Sequence, residues 1–210
     1  MVLSKLSAFE HAYAFLHNGL RNGEYLPGSR IQAGDIVSLL GISATPVREA
    51  LSRLAGQGLL MDRRAIGYFV PPVDPVDLRN LYALASMLAV SAMRSLDLLT
   101  LDLHHYTEHP GPAHGGAGGL LVTIAALTAN SALVAVAANL DDRLAPLAPV
   151  EHALFGERDR EQGELVHWLA SRDQRKCVSN ISRFYRRRTR SAMDIAAAAS
   201  AAISTRDNIF

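Results

Sequence analysis

Apolar residues recur at helical spacing from the start of the chain, and glycine or proline breaks each run. Phe9, Ala12, Phe15, Leu16 and Leu20 share one face of a helix predicted over 7–22. Gly23 and then Pro27-Gly28 stop it. Ile31, Ile36, Val37, Leu39 and Leu40 predict a second element, ended by Gly41. Ser43 is placed to cap a third helix, and Pro46 is tolerated in its first turn, where N–H groups have no intrahelical partner. In that helix Val47, Ala50, Leu51 and Leu54 fall on one face and are assigned to packing. Thr45, Arg48, Glu49 and Ser52 fall opposite. Gly56 and Gly58 end it, and Leu59–Met61 and Tyr68–Val70 read as two short strands, with Arg63, Arg64 and Gly67 between them.

Helix, helix, tight corner, helix and ribbon is the order of a winged helix-turn-helix, which presents one helix to the DNA major groove. The stiff Pro71-Pro72 spacer marks a boundary. Residues 1–72 are expected to form the winged helix, and residues 73–210 an all-α antiparallel bundle. The fold class is therefore mainly α. Helices in the second part are predicted near 75–98, 119–129, 131–145, 158–171 and 174–203, with a flexible loop over 111–119. Met87, Phe155 and Trp168 are expected to anchor the core. Arg183, Arg186, Arg187 and Arg190 fan over one side of the last helix, with Ile181, Phe184, Tyr185 and Ile195 opposite. Arg188 falls on the apolar side, which calls for a buried carboxylate partner that the sequence does not identify.

Composition adds modest constraints. Net charge is +1, but residues 1–72 hold Lys5, Arg21, Arg30, Arg48, Arg53, Arg63 and Arg64 against Glu10, Glu24, Asp35, Glu49 and Asp62. The positive excess thus sits on the DNA-reading part. Cys177 is the single cysteine, so no intramolecular disulfide forms, which fits a reducing, cytoplasmic setting. His11, His17, Asn18 and Arg21 interrupt any signal-like apolar run, and polar residues break the 120–140 stretch below a membrane span. No phosphate loop, nucleophile elbow or paired carboxylate motif suggests an enzyme. His104, His105, Glu108, His109 and His114 cluster beside the glycine-rich loop, and the simplest reading is a solvated helix end rather than a metal site.

The string Asp35-Ile36-Val37-Ser38-Leu39-Leu40-Gly41-Ile42-Ser43, then Thr45-Pro46-Val47-Arg48-Glu49-Ala50-Leu51, then Leu54 and Gly58-Leu59, resembles the DNA-binding domain of the GntR family. Val76-Asp77-Leu78-Arg79-Asn80-Leu81-Tyr82 is similar to the start of the helical ligand domain of its FadR-like (FCD) branch. The resemblance implies a homodimeric bacterial transcription regulator, with repression the expected mode. Such a protein binds an inverted-repeat operator in double-stranded DNA and answers to a small molecule. It implies DNA contacts from Ser43, Thr45, Pro46, Arg48 and Ser52 on the third helix, and from Arg63, Arg64 and Gly67 in the wing, with Gly67 at the tip. Ala44 departs from the pattern, where most relatives carry arginine.

On the ligand side the resemblance places the effector pocket at Ala85, Ala89, Leu121, Asn130 and Gln162. The metal-holding Asp and His positions of many FCD domains register on Ala117, Leu121, Gln162 and the neighbourhood of Phe184 and Tyr185. Ala85 and Ala89 stand where an Arg and a Glu are expected. No metal or other cofactor is therefore expected, and the effector is apolar or weakly polar, or absent. The alternative reading is a winged-helix interaction and dimerisation module that has lost operator and effector specificity. An enzyme is the weakest reading.

Overall fold

In the computed structural model, which describes residues 7–101, 117–156, 164 and 166–207, the chain divides into two units, Met1–Pro72 and Val73–Phe210. In the first, helix α1 (Ala8–Arg21) starts from a capping box: the Glu10 N–H donates to Ser7 Oγ (3.2 Å) and the Ser7 N–H to Glu10 Oε2 (2.7 Å). Strand β1 (Arg30–Ile31) precedes α2 (Ala33–Leu40), which ends on Gly41 in the left-handed conformation. Helix α3 (Ala44–Gly56) follows that corner, and strands β2 (Met61–Arg63) and β3 (Gly67–Phe69) form the wing. The sheet order is β1-β3-β2, antiparallel throughout. Ala12 and Leu16 of α1 meet Val47, Ala50, Leu51 and Leu54 of α3 in a core closed by Ile31, Ile36, Leu59, Leu60 and Val70.

Two details differ from the sequence reading. Ile31 belongs to β1 rather than to the second helix, because it pairs with Tyr68 across the sheet. The wing strands also lie closer to the turn than expected. Leu59, Leu60 and Val70 are drawn into the core, which leaves Arg63 and Gly67 paired inside the ribbon and Arg64-Ala65-Ile66 as its tip.

The second unit opens with α4 (Pro75–Ser95), capped by Asp74 Oδ1, which accepts from the N–H groups of Val76 (2.8 Å) and Asp77 (2.9 Å). Helices α5 (Ala117–Leu127) and α6 (Ser131–Leu144) form an antiparallel pair. A 3-10 turn (Ala145–Leu147) leads into α7 (Ala148–Phe155). Then come α8 (Gln174–Arg190) and α9 (Ala192–Asp207). Helix α4 is the central element and packs against α5, α8 and α9. Gln174 Nε2 donates to the carbonyls of Met93 (2.9 Å) and Leu96 (2.8 Å), tying the end of α4 to the start of α8.

The helical unit departs from expectation at four places. Helix α7 did not show in the apolar pattern, since Glu151 is its one fully buried residue. The predicted 174–203 helix is two helices that break at Ser191. Ala117-Gly118-Gly119 are helical and buried rather than loop. Met87 is 70% exposed rather than in the core. The histidine cluster, residues 102–116 and half of the predicted 158–171 helix (158–163 and 165) lie outside the described residues. Among the described residues no helix is long and apolar enough to cross a membrane.

Gly118 explains the third departure. A Cβ at this position would come within 2.5 Å of Asp141 Cα, so only glycine lets α5 approach the α6 backbone this closely. Gly118→Ala should destabilise the helical unit by about 1–3 kcal/mol in chemical denaturation, because the obstacle is backbone rather than a movable side chain.

Candidate nucleic-acid interface

Helix α3 has two chemically distinct faces. Val47, Ala50, Leu51 and Leu54 are fully buried, whereas Thr45, Arg48, Glu49 and Ser52 are exposed. Pro46 sits half-buried in the first turn. Ser43 occupies the N-cap backbone geometry, but its hydroxyl makes no capping bond, contrary to the capping role expected for it. The side chains of Thr45, Arg48 and Ser52 form no hydrogen bond or ion pair with other described residues. At the far end of the helix, Arg53 lies 5.6 Å from the ring centroid of Tyr13, whose hydroxyl donates to Gln57 Oε1 (2.9 Å). The back of α3 is therefore clamped to α1 while its front stays bare.

The wing supplies a second basic surface. Strand alternation puts Arg30, Phe69, Gly67 and Arg63 on one sheet face, and Ile31, Tyr68 and Asp62 on the other. The Arg63 guanidinium stacks 4.5 Å from the Phe69 ring centroid. Gly67 has φ of +126°, and a Cβ there would stand 3.1 Å from Arg30 Nε. Its glycine thus makes room for an arginine rather than forming the wing tip. Arg30 was not among the residues expected to contact DNA, and its side-chain position follows from a two-residue strand that left almost no periodicity to read. Arg64 is exposed at the tip turn beside Ala65, which adopts φ of +62°.

The interior of the helical unit holds a buried polar cluster instead of a purely apolar pocket. Arg188 and Glu151 are 2% and 1% exposed and meet at 2.8 Å through Nε and Oε2. The Tyr82 hydroxyl donates to Glu151 Oε1 (2.7 Å), and Arg188 also donates to the Phe184 carbonyl (3.3 Å). The Arg188 guanidinium lies 3.4 Å from the Phe184 ring centroid. Glu151 is the carboxylate that Arg188 required. Tyr185 donates to the Ala117 carbonyl (2.6 Å). Burial, followed by the Glu151 charge, pushes both the Tyr82 and Tyr185 hydroxyls well above the ordinary tyrosine range.

Ala85, Ala89 and Leu121 lie in the same buried cluster as Tyr82 and Tyr185. Asn130 does not join them: it is exposed and caps α6, accepting from the Leu133 N–H (3.1 Å). Gln162 lies outside the described residues. Among the described residues no group of three or more His, Cys, Asp or Glu side chains is placed to hold a metal ion.

Residues 8–70 match the family model for bacterial regulatory proteins of the gntR family. The match falls within the first unit, whose winged helix is similar to that family's DNA-binding domain. The chain is 37% identical over 70 residues to the Nta operon transcriptional regulator of Aminobacter aminovorans, covering 33% of each protein. It is 30% identical over 88 residues to an HTH-type transcriptional regulator of Agrobacterium vitis, covering 42% of this chain and 52% of the relative. The matches therefore span about a third to a half of these curated relatives. Among solved structures, transcriptional regulator GntR from Rhodococcus sp. RHA1 superposes with a TM-score of 0.77 at 18% identity, over 90% of this chain and 99% of that one. Escherichia coli McbR/YncC gives 0.59 at 21% identity, over the same shares. The likeness runs through both units, so the fold shared with these structures includes the helical bundle as well as the winged helix.

Two outcomes test the interior. Arg188→Met should destabilise the helical unit by about 3–5 kcal/mol, because it strands the Glu151 charge, and a double variant with Glu151→Leu should recover most of that loss in urea denaturation. The raised tyrosine pKa values set the sign of the alkaline response. A folded-state value above the unfolded one gives stabilisation that is complete below about pH 10 and declines as pH rises further. Phenolate absorbance from Tyr82 and Tyr185 should therefore appear only as the helical unit unfolds.

Proposed function

We propose that this chain is a sequence-specific DNA-binding transcription regulator that acts as a repressor. Its α3 enters the major groove, and Arg48 forks onto a guanine O6/N7 edge while Thr45 and Ser52 reach neighbouring groups. Ser43 and Pro46, at the start of the helix, lie against the DNA backbone. Arg63, Arg64 and Gly67 form the wing contact, with Arg30 beside them, and make up for Ala44. The observation that carries this reading is the bare front of α3: a groove-sized helix face with an arginine that the fold itself does not use.

The helical unit dimerises and senses a small molecule, which aligns two winged helices on an inverted repeat. The resemblance of Val76-Asp77-Leu78-Arg79-Asn80-Leu81-Tyr82 to the start of the FadR-like ligand domain supports this division of labour. Because Arg188 is already neutralised by Glu151, an effector beside Ala85, Ala89 and Leu121 meets an apolar wall, which suits an apolar or weakly polar molecule. The rival reading, an interaction module without operator specificity, draws on Ala44 and on the stripped ligand positions Ala85, Ala89, Ala117 and Leu121.

Selection from a random-duplex library at near-physiological salt, with Arg48→Ala alongside, decides between them. The expected result is an enriched inverted repeat to which the variant binds with about 1–3 kcal/mol less discrimination. Equal loss on the selected site and on random DNA would assign Arg48 to phosphate alone. Failure of the wild-type protein to enrich any sequence, with or without extracts containing small metabolites, would favour the interaction module.

A further inference from the structure

The front of α4 carries a seam of residues that are exposed to solvent. Asp77, Asn80, Leu84, Met87, Ser91 and Arg94 are all exposed, and their spacing alternates three and four residues through the helix. That spacing is the a/d repeat of a helix seam built to meet another helix. Leu78, Tyr82, Ala85, Ala89, Ala92 and Met93 occupy the opposite side and are buried in the bundle. Leu84 and Met87, at the middle of the seam, are 42% and 70% exposed. A core-facing helix of a bundle needs a single apolar stripe, so the exposed Leu84–Met87 pair on the opposite side is left over from folding.

The chemistry of the seam identifies its occupant. When the helix is laid antiparallel on a copy of itself about the midpoint between residues 85 and 86, each seam residue meets a complementary one. Leu84 faces Met87 of the partner copy, Asn80 faces Ser91, and Asp77 faces Arg94. A two-fold axis repeats every contact, as an isologous interface requires. Parallel pairing instead sets Asp77 on Asp77 and Arg94 on Arg94, so like charges oppose it at both ends. The seam is thus apolar at its centre, polar further out and oppositely charged at its ends.

We infer that α4 is the dimerisation helix of this protein, pairing antiparallel with α4 of a second copy through the Asp77–Arg94 seam. The inference rests on the dimeric reading above and adds the contact surface and its polarity. The pairing accounts for two side chains that the fold leaves unexplained, a methionine exposed at mid-helix and an arginine opposite in charge to the aspartate five turns away.

Sedimentation of the full chain, with circular dichroism to confirm folding, tests this through a charge cycle. Asp77→Arg and Arg94→Asp should each raise the dimer dissociation constant roughly tenfold, since each puts like charges at both ends of the seam. The double variant should return it towards the wild-type value. Crosslinking fixes the polarity independently of any loss of affinity. Asp77→Cys protein mixed with tagged Arg94→Cys protein should link between the two species with a short bismaleimide. Neither should link to itself, because like positions lie about 26 Å apart along an antiparallel pair. The native thiol, Cys177, is buried and does not compete. A dimer indifferent to the charge cycle, or self-linking by either cysteine variant, overturns the seam and leaves the dimeric regulator standing. A wild-type monomer at concentrations that bind DNA overturns both.

Discussion

A guanidinium buried in a helical bundle must be neutralised where it sits, and the Arg188–Glu151–Tyr82 cluster meets that demand with one residue from each of three helices. Glu151 comes from α7, Arg188 from α8 and Tyr82 from α4, so a single charge balance fixes the relative placement of all three. For α7 the constraint is strongest, because its one fully buried residue is the charged one. Such a pair adds little stability compared with a well-packed apolar equivalent, but breaking it strands a charge. Its worth is therefore specificity of packing. Phe184 and Phe155 complete the site by placing ring faces against the guanidinium.

The same cluster sets the chemistry of the helical interior. A bundle core lined by an unpaired arginine would attract anions, but here the positive charge is consumed internally. What remains beside it is small and apolar, with Ala85, Ala89 and Leu121 fully buried among leucines. The winged-helix unit solves the opposite problem. Its polar residues are kept out of the fold, and α1 supports α3 from behind through Ala12 and Leu16, with the Tyr13–Gln57 hydrogen bond at the far end of the helix. One unit hides a charge to define its own packing, while the other withholds charges from packing so that they face outward.

Most of the first unit was legible in the sequence. The faces of α3 followed from residues three and four apart, and Gly41 announced the corner through the left-handed geometry that it adopts. The wing was legible as a ribbon but not in its register. Strands of two and three residues carry almost no periodicity, and the apolar residues flanking them, Leu59, Leu60 and Val70, were recruited by the core instead. The role of Gly67 was misplaced for the same reason, since only the pairing of Arg63 with Gly67 and the neighbouring Arg30 side chain shows what its missing Cβ admits.

In the helical unit, the sequence by itself determined that the second half is helical, that α8 has an arginine-rich outer side, and that Arg188 needed a carboxylate. These are local facts, set by side-chain periodicity and by the cost of an unpaired buried charge. Which carboxylate answers Arg188 was decided only by tertiary structure, because Glu151 lies 37 residues away on a helix with no apolar stripe of its own. The same holds for Gly118, whose glycine matters only once Asp141 of another helix is pressed against it, and for Met87, whose apolar side chain looked internal until packing chose the opposite face of α4. Periodicity says that a helix has faces, but only the neighbours that pack against it decide which face is inside.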